Sequence, residues 1–312
     1  MGKVNDLMCD LLGLAEYNAD FWNGTVFQGK RKITGKQLVR QDREYYKTGQ
    51  SKAPGVRRDI LMHCKVNPYI MLGVEIMETL DYTMPVKLMD YDAQELKRQI
   101  KDIKQRNSME IVLHLDKWAS SGEFLYGLRK KDKLIPVYTV ALYCGDGEYD
   151  GAGGIQEMMD TMGLDEECRG MLKDYPIKVY HLKDLKEENY ESGLREIIAV
   201  FKRSGDRQAI KEYYLANKVR FQRMDELAID TMGALIGMQN LKMFQQEEGG
   251  VDMCKAFEEE REEGRLEGRL EGWEESLQSS VYKLMKNLKV SFQQAMEILE
   301  IPQSEWCKYQ QP

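Results

Sequence analysis

Two acidic residues in the first third of the chain have the type and spacing for metal-dependent phosphodiester chemistry. Asp59 opens an apolar run in "RRDILMHCKV", and Glu75 stands inside a second run, "YIMLGVEIM". Asn67 and Pro68 between them are a turn signal, so the two runs predict a β-hairpin. An antiparallel hairpin brings positions 59 and 75 together. Two carboxylates converging at strand ends make a hard oxygen site suited to Mg²⁺ or Mn²⁺. Residues two apart on a strand share a face, so position 77 points into the same space as Glu75. A phosphodiester-cleaving site would want a lysine or glutamine there, to hold the attacking water and the developing charge. The residue present is Met77. Spacing alone leaves a plain alternative open, in which Asp59 pairs with Arg57 or Arg58 at a strand edge and Glu75 is a structural acid.

The elements that must position these residues follow from periodicity. Residues 3–23 show a helical apolar face through Val4, Leu7, Met8, Leu11 and Leu12. After the hairpin, a helix is expected over 84–106, with Val86, Leu88, Met89, Leu96, Ile100 and Ile103 on its buried stripe. "LIPVYTVALYCG" from Leu134 reads as a central strand, "DGAGGIQEMMDTMG" as a Gly-rich loop leading into a short helix, and "PIKVYHL" from Pro176 as a further strand. From about Ser192 onward the pattern is helical. Strands mixed with helices and then helices alone indicate an α/β or α+β core with a helical C-terminal part. The expected divisions are 1–205 for the core, 206–275 for a helical region, and 276–312 for a small helical pair with Ser291 as N-cap and Pro302 beyond its first helix.

Charge is distributed unevenly. The net value is -7, which by itself does not suggest a nucleic-acid binder, but Gln28 to Lys65 holds 11 Lys and Arg against 3 acids. Glu247 to Glu275 holds 12 acids against 4 bases, so the two regions suit different partners. Lys30, Arg31, Lys32 and Lys36, with Arg57 and Arg58, are candidates for salt-sensitive contacts to DNA phosphates, or else form a solvated basic loop. In the acidic part Gly264, Gly268 and Gly272 recur every four residues, as a solvated linker helix or a self-association face that would make a homodimer. No apolar run is long enough to span a membrane. Six scattered cysteines without a CxxC pattern, and a start without a signal-peptide layout, lead us to expect a cytoplasmic protein with reduced thiols. His63, His114 and His181 lie too far apart in sequence to suggest a zinc site.

The stretch "VRRDILMHCKVNPYIMLGVEIMETLDYTMPVKLMDYDAQELKRQI" resembles the Rpn family of recombination-promoting nucleases, a transposase-like (YhgA-like) group within the PD-(D/E)XK superfamily. "EYNADFWNGTVFQGKRKITGKQL", "SSGEFLYGLRKKDKLIPVYTVALYCGDGEYDGAGGIQEMMD" and "VDMCKAFEEEREEGRLEGRLEG" are similar to further segments of that family, so the resemblance covers nearly the whole chain. It implies a restriction-endonuclease-like core, a mixed central sheet flanked by helices, acting as a Mg²⁺- or Mn²⁺-dependent endonuclease on double-stranded DNA. It places the motif acids on Asp59 and Glu75 as metal ligands, and the acid of the first helix on Glu16, with Asp20 as the alternative. Gln99 matches a glutamine common in the family. Where the family has Glu-Asn-Gln, this chain has Glu75, Ile76 and Met77. Either Lys87 or Gln99 on the following helix takes over the missing polar role, or the domain is a catalytically inactive module that binds DNA or a partner.

Overall fold

In the computed structural model of the chain, residues 2–41, 44–45, 56–66, 69–238, 251–303, 306 and 309 are described. The expected turn at Asn67 and Pro68 lies outside them. The chain divides into two compact units, Met1–Asp252 and Met253–Pro312.

The first unit opens with two helices, α1 (Lys3–Leu12) and α2 (Ala15–Thr25), where periodicity predicted one. The break falls at Gly13, a residue that weakens helices, and Leu14 is extended at φ -79°, ψ 130°. Asn18 secures the corner by donating from Nδ2 to the Leu12 carbonyl at 2.8 Å. The strands that follow are β1 (Leu38–Arg40), β2 (Glu44–Tyr45), β3 (Val56–Arg57), β4 (Ile60–Cys64) and β5 (Ile70–Met77). Then come the long helix α3 (Met84–Val112), α4 (Ser121–Tyr126), β6 (Val137–Tyr143), α5 (Glu166–Met171) and β7 (Val179–His181). The main sheet has five strands in the order β1-β4-β5-β6-β7, with β2 and β3 forming a separate antiparallel pair. The β1-β4 and β4-β5 pairs are antiparallel, whereas β5-β6 and β6-β7 are parallel, so the sheet is mixed.

β5 occupies the middle position and is buried along almost its whole length, as an apolar run without alternation requires. α3 makes the crossover from β5 to the parallel β6. Pro85 in its first turn suits a helix start, where the missing N–H costs nothing. Its buried line, including Met84, Leu88, Tyr91 and Asp92, lies over the sheet face that carries Met77, Ala141 and Tyr143. Strand alternation sends Leu72, Val74 and Ile76 to the opposite face, where α1 meets β5.

The helices α6 (Leu194–Lys202), α7 (Arg207–Ala216), α8 (Lys218–Phe221) and α9 (Glu226–Leu235) complete this unit. α6 is buried on nearly every side, and α9 packs on both α1 and α6. The first unit therefore runs past the expected boundary at 205, because the apolar face of α9 is covered by the first helix of the chain. The second unit consists of α10 (Met253–Leu288), unbroken through the period-four glycines, and α11 (Phe292–Ile298). Its small core joins Val281 to Ala295, Met296 and Tyr309. Ser291 caps α11 through a reciprocal capping box with Gln294, as its position predicted. Among the described residues no helix is long and apolar enough to cross a membrane.

Candidate active site

The β4-β5 register pairs Ile60 with Val74, which sets Asp59 opposite Glu75 at the end of the ladder. The two residues are bonded reciprocally. The Asp59 backbone N–H donates to Glu75 Oε1 at 3.1 Å, and the Ile76 N–H donates to Asp59 Oδ2 at 2.9 Å. Both side chains are buried, Glu75 completely and Asp59 to within 5% exposure. Each carboxylate thus orients the strand that carries the other.

Lys87, one turn into α3, brings its ammonium to 3.5 Å from Glu75 Oε2 and 4.0 Å from Asp81 Oδ2. The side chain of Lys87 is 32% exposed, so it sits at the mouth of the pair rather than beneath it. A turn further on, the Tyr91 ring has Lys87 Nζ 5.8 Å from its centre and the Arg58 guanidinium at 5.5 Å, both within cation–π range. Burial, and then the charges of Glu75 and Asp59, hold the Tyr91 phenol above its ordinary range.

Positive charge does not fully answer the acids. Glu75 Oε2 is buried without a hydrogen-bond partner. Burial, followed by the Asp59 charge, pushes the Glu75 carboxyl up to about 8, against the opposing pull of Lys87, the Asp59 N–H and Arg58. A carboxylate oxygen with no hydrogen bond, held only by the 3.5 Å ion pair to Lys87, and beside a second carboxylate fits a divalent cation. Among the described residues no group of three or more His, Cys, Asp or Glu forms a metal cluster. Mg²⁺ does not require one, since it commonly binds through one or two carboxylates and keeps several waters.

Met77 lies on the same strand face as Glu75, two residues along, and is 3% exposed. It packs with Met84, Leu88, Tyr91, Ala141 and Tyr143. The space next to the acid pair on this side is an apolar wall, and the ammonium that reaches Glu75 comes from α3.

No family model, curated protein or solved structure matches this chain. What it does has to be read from its own side chains.

The other candidate residues are dispersed. Gln99 is buried on α3, twelve residues beyond Lys87 and so about 18 Å further along the helix. It accepts from Ile135 N at 2.7 Å and donates to Ile135 O at 3.2 Å, which ties the approach to β6 to the helix. Glu16 is exposed on α2 and lies against Gly35, where any Cβ would collide with its carboxylate. Asp20 accepts from the backbone N–H groups of Glu191 and Ser192 and from Ser192 Oγ, and pairs with Arg31.

Two of the expected DNA-contacting cations have partners within the chain, Arg31 at the surface and Arg58 in the interior. Arg31 pairs with Asp20 and Glu191 and donates to the Asn189 carbonyl. Arg58 is wholly buried: its Nη2 bonds to Asp92 Oδ1 at 3.1 Å and to Thr139 Oγ1, and Asp92 also accepts from Thr139 and from the Tyr175 hydroxyl. Arg58 reads as a surface base only while its neighbours across the sheet are unknown. Gly73 makes the room, because a Cβ there would clash with Arg58 Nη2 and lie 2.5 Å from Thr139 Oγ1. A lone glycine inside a strand is a signal for such close approach. Lys30, Lys32 and Lys36 are exposed, with Lys32 also 5.0 Å from the Phe27 ring centre. The side chain of Arg57 lies outside the described residues.

Proposed function

We propose that this chain is a metal-dependent DNA endonuclease of the PD-(D/E)XK type within the Rpn group, with Lys87 supplying the cationic group that Met77 cannot. The observation that carries this reading is the convergence of Lys87 on the reciprocally bonded Asp59-Glu75 pair. The mixed sheet, with an antiparallel β4-β5 hairpin and a helical crossover to a parallel strand, agrees with the fold that the resemblance implies.

Asp59 and Glu75 are the residues that would hold a Mg²⁺ or Mn²⁺ ion. When bound, such a cation makes water more acidic and neutralises charge on a phosphoryl group. Lys87 is partly exposed at the mouth, with Asp81 as its second anionic neighbour, so its ammonium can face a phosphate oxygen and offset the charge that grows there. The Met77 cluster keeps water away from one side of the acids and strengthens the electrostatics within. Lys30, Lys32 and Lys36 are exposed cations of the basic loop that would contact duplex phosphates, without sequence preference.

A second reading is favoured by Met77 itself and by the complete burial of Glu75: a nuclease-like module that binds DNA or a partner without cutting. Plasmid nicking with Mg²⁺ or Mn²⁺ separates the two. The nuclease reading expects cleavage by the wild type and loss of it in Asp59→Ala and Glu75→Ala. Equal nicking by all three proteins would refute it. A silent wild type that gains cleavage on Met77→Lys would establish the second reading. Pairing of two copies along α10, where Leu266 and Trp273 are exposed, belongs to the same proposal; a monomeric mass of the full chain by light scattering would remove it.

A further inference from the structure

Between β6 and β7 the chain leaves the core in a lobe. At the neck Gly154 and Pro176 form an antiparallel bridge, and Ile177 N donates to Gly153 O at 2.8 Å. Beyond it lie a 3₁₀ turn at Gln156–Met158 and then α5, and neither buries a residue. The lobe is held in shape by polar bonds to its own backbone. Gln156 Nε2 donates to the Leu172 carbonyl at 3.1 Å, and Arg169 donates to the carbonyls of Leu164 at 3.0 Å and Thr161 at 3.3 Å. The second of these ties brings the Met162 turn back onto α5.

This lobe carries its apolar side chains outward. Met158, Met159, Met162 and Met171 are 41%, 39%, 90% and 72% exposed. Folding removes little of this surface from water, and four exposed methionines on one short, internally tied segment offer apolar area for a partner to cover. Methionine is the apolar side chain best suited to adaptable contact, being unbranched and polarisable. Charge restricts what can cover the patch. Residues 156–174 hold Glu157, Asp160, Asp165, Glu166, Glu167 and Asp174 against only Arg169 and Lys173. Such an excess of acids repels nucleic acid and other anions and attracts cations. Exposed methionines on an acidic segment are complementary to a helix that has an apolar stripe and basic flanks.

We infer that the lobe over residues 156–174 is a docking surface for a basic amphipathic helical segment of a partner protein. The surface is independent of the acid pair and of any cleavage the chain performs. The probe is a fluorescent amphipathic helical peptide of Leu and Lys, titrated against the full chain and followed by anisotropy. Its control is a scrambled peptide of the same composition without the apolar stripe. Affinity on the order of micromolar is expected, with about a tenfold loss in the double variant Met162→Gln/Met171→Gln and a similar loss in Glu166→Gln/Glu167→Gln. All four positions are exposed, so circular dichroism should show both variants folded. The inference is overturned if the peptide does not bind, if neither variant weakens it, or if the scrambled peptide binds equally well, which would mean charge alone. It is also overturned if the methionine variant changes the oligomeric mass by light scattering, since the occupant would then be a second copy of this chain.

Discussion

Lys87 brings its ammonium to 3.5 Å from Glu75 Oε2, although the two residues lie on different elements. The strand places the acid in the interior, and the first turns of α3 carry the cation over its edge. The proposed function rests on this relationship.

Removing Lys87 should therefore separate chemistry from metal binding. Lys87→Met is expected to lower the cleavage rate by about 10² to 10³ while Mn²⁺ binding persists, since one charge-stabilising donor is lost and both carboxylates remain. Single-turnover cleavage together with a calorimetric Mn²⁺ titration checks it. Wild-type rates in Lys87→Met would take the lysine out of the mechanism.

A divalent cation should stabilise the fold through the same acids. At a Mn²⁺ concentration one hundred times its dissociation constant, about 2.7 kcal/mol of added stability is expected, through linkage to the native state alone. Thermal melts with and without Mn²⁺ should show a rise for wild type and none for Asp59→Ala.

Without metal, stability should fall as pH rises. The Glu75 carboxyl is raised from 4.5 to about 8, so between those values the folded chain binds a proton that the unfolded chain has released. Stability therefore declines across that interval, by roughly a few kcal/mol, and levels off above it. Urea unfolding over a pH series should show this slope in wild type and a flatter one in Glu75→Gln.

Gly73→Ala tests the close approach beneath the site. Its Cβ would force the Arg58 guanidinium off Asp92 and Thr139, and breaking a buried pair in this way costs about 3–5 kcal/mol. Denaturant midpoints measure the loss. An unaltered midpoint would mean that Arg58 is not fixed where the structure places it.

The parts of the fold that depend on local pattern were legible in the sequence. The two apolar runs give β4 and β5, the long apolar run from Leu134 gives β6, and Ser291 caps α11. The pairing of Asp59 with Glu75 was legible as well, because hairpin register follows from strands adjacent in sequence. Lys87 could be named only as one of two candidates on α3. Choosing between it and Gln99 required knowing which turn of the helix passes the end of β5. Gln99 is too far along and serves Ile135 instead.

The partners of Arg58 and Arg31 were not legible, for a common reason. A basic residue in a basic stretch reads as solvated, and its partners are invisible until the chain folds. The acid that holds Arg58 is on α3 and its hydroxyl partner is on β6. Arg31 is held by Asp20 on α2 and by Glu191 just before α6.

The sequence by itself determined the mixed α/β character, the hairpin, the two carboxylates and the strand face on which Met77 falls, because strand alternation and helical periodicity act between near neighbours in the chain. Only the tertiary structure decided which cation meets Glu75, that Met77 is part of an apolar wall, and that Arg58 is interior. Each of these depends on where α3 and β6 lie against β5. That placement comes from packing between segments distant in sequence, which leaves no periodic trace in either segment alone.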